Sequence, residues 1–116
     1  MSKSLHDNID VIESGYEFLL AYAAQGRDSD GGPGGSEVRT TLTGMFEAAG
    51  NIAAYLRSNE SDFGAVVIED AGKAGAAIAL VLAQEKISSE LVDNLNASIH
   101  LRALLTDLFL LSEAIQ

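Results

Sequence analysis

The chain has 116 residues, the size of one domain able to bury a real core without a disulfide or metal staple. Hydrophobic residues make up 47% and cysteine is absent, which excludes a disordered chain, disulfides, thiolate metal centres and a cysteine nucleophile. Seven basic residues against seventeen acidic ones give a formal charge of -10, a field that repels phosphate backbones and anionic lipid, so neither nucleic acid nor membrane is expected as a partner.

The opening MSKSLHDNID has no apolar h-region of a secretory signal, so a cytoplasmic location is expected. A first helix is expected over about 5–25. Ile9, Ile12, Tyr16, Leu19 and Ala23 recur at steps of three and four, which keeps them on one face. Asp7 and Asp10 sit in the first turn, where the helix dipole favours negative charge. Val11, Phe18 and Tyr22 form a narrower second stripe and are candidate contacts for a partner protein.

GRDSDGGPGGS, residues 26–36, follows with five glycines and the single proline, and reads as a flexible linker. Ser36 is placed to cap a second helix over about 37–57, with Glu37 adding charge at its start. Val38, Leu42, Met45, Ala49, Ile52 and Leu56 give its stripe, widened by Phe46 and Ala53.

A third helix is expected over about 62–85. Its stripe is Val67, Ala71, Ala74, Ile78 and Val81, beside a second made by Ile68, Gly72, Gly75, Ala79 and Leu82. FGAVVI, residues 63–68, has strand character, but a single strand would find no partner in this chain. Glu69 and Lys73 stand at a favourable helical spacing. From 74 to 83 no polar residue follows, a run about half the ~20 apolar residues that a membrane span needs. It is instead expected to be enclosed by other helices. Two mid-helix glycines cost about 1 kcal/mol each relative to alanine, and close helix approach would offset that.

The fourth helix is expected over about 89–115, capped by Ser88, with Leu101, Leu104, Leu108, Leu111 and Ile115 as its stripe. Leu105, Phe109 and Leu110 make it greasier than one side of a lone bundle requires. The expected architecture is therefore all-α: one domain, an antiparallel four-helix bundle, dimeric through segments three and four. Gly72, Gly75, Ala79, Leu82, Leu105 and Phe109 are the expected helix-packing or homodimer interface.

The chemistry-bearing motifs are sparse. Neither His6 nor His100 follows a glutamate by three residues, as ferritin-like metal sites demand. DSDGG, residues 28–32, starts like a calcium loop but lacks the later ligands. GGPGGS has no Gly-Lys-Ser/Thr ending for phosphate, and no Gly-x-Ser-x-Gly is present. No metal, cofactor or enzymatic activity is expected. His100-Leu101-Arg102-Ala103 resembles, over a few residues, the His-x-Leu-Lys-Gly of histidine-containing phosphotransfer domains, with the cation one place early and the glycine missing. That resemblance implies His100 as an alternative phosphoacceptor. The leading expectation is a small acidic interaction protein, an adaptor, regulator or chaperone, that binds itself and an unidentified protein partner through a helix groove. A bundle holding a small ligand beside the Gly/Ala-rich helix is a further alternative.

Overall fold

The computed structural model describes residues 4–115. Among them are five helices and no strand: α1 (Leu5–Ala23), α2 (Glu37–Ser58), α3 (Asp62–Leu82), α4 (Ser89–Ala97) and α5 (Ile99–Ala114). Among the described residues no helix is long and apolar enough to cross a membrane.

Serine side chains start four of the five helices. Ser4 accepts from the Asp7 N–H while Asp7 reaches back to the Ser4 N–H, a reciprocal cap. Ser61, Ser88 and Ser98 accept from the N–H groups of Gly64, Leu91 and His100. Residues 63–68 are helical, so the strand alternative for FGAVVI is out. Ser36 departs from expectation: its backbone is already helical and its side chain caps nothing.

The largest correction falls on the fourth segment, where one expected helix is two. Ser98 has extended backbone, φ -60 and ψ 130, closing α4 and opening α5. The residues around the break favour it. Asn94, Asn96 and Ser98 compete for backbone hydrogen bonds and so weaken a helix interior. Asn96 is buried and donates from Nδ2 to the Leu19 carbonyl at 3.1 Å, which holds α4 on α1. The break lets the chain change neighbours: α4 packs chiefly against α1, and α5 against α3.

The core follows the sequence stripes. Val38, Leu42, Met45, Ala49, Ile52 and Leu56 are all buried, as are Val67, Ala71, Ala74, Ile78 and Val81. On α5, Leu101, Leu104 and Leu108 are buried, whereas Ile115 at the helix end is exposed. Each fully buried leucine or isoleucine is worth roughly 1.5–3 kcal/mol of apolar transfer. α1 and α2 approach closely at Gly15, where an added Cβ would stand 2.5 Å from Met45 Cγ. Residues from the start of α1, the end of α2, the start of α3 and the end of α5 (Leu5, Leu56, Ser61, Leu111) gather at one end of the molecule. The other end gathers Tyr22, Arg39, Leu82 and Ile87.

The stretch 26–36, read as a flexible linker, is tied back at that second end. The Arg27 N–H donates to Ser89 Oγ at 2.8 Å and the Ser89 N–H donates to the Arg27 carbonyl at 2.9 Å. Asp30 pairs with Arg39 at 2.6 Å and accepts from the Ile87 N–H at 3.0 Å. Arg39 also donates to the carbonyls of Leu82, Gln84 and Glu85, at 3.1, 2.8 and 3.0 Å. A cation there satisfies the open C-terminal end of α3 and complements its dipole. The Arg39 hydrogen bond, followed by the Ile87 N–H, lowers the Asp30 pKa to about 2.

Candidate interaction surface

α2 and α3 form the most extensive helix pair in the molecule, and their outer faces leave a trough between them. Its floor and walls are small: Ala49, Gly50 and Ala53 from α2, Ala71, Gly72, Gly75 and Ala76 from α3. Phe46 stands at one end and Arg57 with Ile68 at the other, enclosing about 240 Å³. Past Arg57 and Ile68 the trough opens into a wider hollow of about 660 Å³, lined also by Leu56, Glu60, Ser61, Asp62 and Ala65.

The glycines in this trough behave differently from Gly15. A Cβ added at Gly50 or at Gly72 would meet nothing within 4 Å. At Gly75 it would touch only the Phe46 ring, at an ordinary 3.8 Å. Both Gly50 and Gly72 lie inside their helices and are exposed. Among the described residues, the expected tight crossing at Gly72 is therefore not made. The small residues open a hollow instead of closing one.

The other residues singled out in the sequence scatter. Ala79 is exposed and Leu82 half-buried. Leu105 is buried at 4% exposure inside the chain itself, which removes it from any surface. Phe109 is 54% exposed, on α5. The run 74–83 is enclosed on one side only: Ala74, Gly75, Ile78 and Val81 are buried, while Ala76, Ala79, Ala83 and Leu80, the last at 65%, face outward.

Val11 and Phe18 are half-buried beside a shallow pocket between α1 and α2 that includes Gly44. Tyr22 corrects the third of the candidate partner contacts. It is fully buried, and its hydroxyl donates to the Ile87 carbonyl at 2.7 Å. The loop after α1 folds back over the ring, and Arg27 lies 5.8 Å above it.

His100 and Arg102 are both exposed, but residues two apart on a helix point to different sides, so the arginine does not serve the imidazole. Among the described residues no three His, Cys, Asp or Glu side chains converge to hold a metal ion. One acidic pair does stand out. Asp107 on α5 meets Asp70 on α3, and its Oδ2 is buried without a donor. Burial first, then the hydrogen bond and charge of Asp70, push the Asp107 pKa up to about 7.

Gly72 and Gly75, expected at a helix-packing or homodimer interface, line the trough together with Gly50, Phe46 and Arg57, which the sequence does not single out as site residues. Gly50 carried the signal already used for Gly72, a glycine inside a helical pattern. Phe46 widens the apolar stripe and so is expected in the core, but it is 45% exposed.

Compared with known proteins, the chain matches no family model, and no curated protein or solved structure matches it.

Proposed function

We infer that the chain is a non-enzymatic helical interaction protein, in the manner of an adaptor, regulator or chaperone, and that the α2–α3 trough receives a helix. In this reading the five helices count as four antiparallel legs, with α4 and α5 the broken fourth. One observation carries the reading. Gly50 and Gly72 face the same trough from two helices, and none of the described residues lies within 4 Å of a Cβ added at either. Each costs about 1 kcal/mol relative to alanine in a helix interior. Among the described residues no contact offsets that cost. A partner backbone lying close in the trough would, through the dispersion contacts that only small residues allow. An open trough walled by two parallel-running helical surfaces suits a rod better than a compact metabolite.

A photo-crosslinking amino acid at Gly72 tests this in the native host. It should trap a protein that the same group at the exposed Asp93, on α4, does not trap. Equal capture at both positions, or none at Gly72, overturns the reading.

A further inference from the structure

We propose that the occupant of the α2–α3 trough is a second copy of this chain, docked with its α2 antiparallel to the first about a two-fold axis near Gly50 and Gly72. This rests on the interaction reading above and adds the partner.

Charge disfavours α1 and α4. A copy carrying -10 is repelled by most of its twin. α1 carries Asp7, Asp10, Glu13 and Glu17 with no lysine or arginine, and α4 carries Glu90 and Asp93 with none. The stretch of α2 and α3 that borders the trough is balanced. Glu47 and Arg57 lie on α2, and Glu69 pairs with Lys73 at 3.1 Å on α3. Asp70 turns away towards Asp107, while Glu60 and Asp62 lie beyond Arg57 in the hollow. Even with Glu60 and Asp62 in the hollow, Arg57 and Lys73 offset part of the acidic charge, so like copies meet here with less repulsion than at α1 or α4.

Shape selects the symmetry. The trough has a knob at one end, the exposed Phe46, and a hollow at the other, with Leu56, Ala65 and Ile68 as its apolar lining and Arg57, Glu60, Ser61 and Asp62 as its polar lining. A two-fold axis reverses the order, so each copy's Phe46 meets the other's hollow. Self-complementarity of this kind is what an isologous interface requires. The same reversal brings Glu47, next to Phe46, against Arg57 of the other copy. Both are exposed, and neither belongs to an ion pair among the described residues. Midway between them, at the axis, lie Gly50 and Gly72, where two helix backbones would come closest.

The absence of native cysteine gives a direct test. A Gly50→Cys chain should form a disulfide-linked dimer on mild oxidation, because a residue beside the axis meets its own copy within disulfide reach. An Asp93→Cys chain should not. Light scattering should then show that Glu47→Arg and Arg57→Glu each weaken the dimer by roughly tenfold, since each dimer holds two such pairs. An equimolar mixture of these two variants should dimerise as the unaltered chain does, because both cross-pairs are again opposite in charge. Both substitutions are at exposed positions, and circular dichroism checks that the helices persist. A chain that stays monomeric at every accessible concentration overturns the two-fold docking and leaves the trough's reading to the crosslinking experiment. A dimer that links through Leu110→Cys and not through Gly50→Cys overturns the two-fold docking as well.

Discussion

The end of the molecule around Tyr22 and the trough between α2 and α3 are built on opposite principles. Around Tyr22, polar groups meet partners at every turn: the tyrosine hydroxyl, Asp30, Arg39 and Ser89 all bond to backbone from distant parts of the chain. In the trough, between Phe46 at one end and Arg57 with Ile68 at the other, the lining is only alanine and glycine, and helix backbone lies open at Gly50 and Gly72. The first arrangement fixes one conformation, because a buried polar group left without its partner costs about 1–3 kcal/mol. The second fixes nothing within the chain and leaves room for something else. Stability and recognition are therefore expected to respond to different residues.

Two aromatic residues make the sharpest contrast. Tyr22→Ala should cost about 3–5 kcal/mol in chemical denaturation, from lost ring burial and an orphaned Ile87 carbonyl. Phe46→Ala, at a residue 45% exposed, should stay within about 1 kcal/mol. Equal losses at the two positions would erase the distinction between a structural end and a vacant trough.

A pH titration sharpens it next, through the two aspartates whose protonation differs from the ordinary. Asp107 has its pKa raised from 3.8 to about 7 in the fold. Its contribution is then fully present below 3.8 and lost as pH rises through 7, when two carboxylates must face each other between α3 and α5. Asp107→Asn, which keeps a donor towards Asp70, should raise the Tm by several degrees at pH 8 and change it little near pH 4. Asp30 runs the other way. Its pKa is lowered from 3.8 to about 2, so its contribution is present above 3.8 and lost as pH falls through 2. Asp30→Asn should remove that acid limb and leave the alkaline one. A single limb common to both variants would mean that the two sites do not act separately.

The contrast also explains what the sequence could and could not disclose. The stripe Val38 to Leu56 is legible because burial on a helix imposes its period on the apolar residues, and all six positions are buried. The break at Ser98 is not, because Asn96 weakens a helix only slightly by itself. What decides is its bond to Leu19, seventy-seven residues away in the chain. Tyr22 misled for the same reason. Its stripe lies beside the main one, and only the return of the 26–36 loop, tied by Asp30 and Ser89, covers it. Long-range polar contacts carry no periodicity. The trough was half legible: composition marks α3 as small, but which small residues touch nothing depends on α2.

The glycines give the smallest effects and the most specific ones. At Gly15 a methyl group would collide with Met45 Cγ and Sδ, at 2.5 and 2.6 Å, in a packed core. Gly15→Ala should cost roughly 1–3 kcal/mol, because overpacking outweighs the gain in helix propensity. At Gly72 the same methyl meets open space. Gly72→Ala should therefore stabilise the monomer by about 0.5–1 kcal/mol, through propensity and a less free unfolded chain. The same substitution makes the trough shallower at its centre, so association should weaken while folding strengthens. Measuring both on one variant separates the alternatives. A glycine held for folding would lose stability on substitution, and an incidental one would gain stability with association unchanged. Gain in one quantity with loss in the other is the signature of a backbone kept bare for a partner.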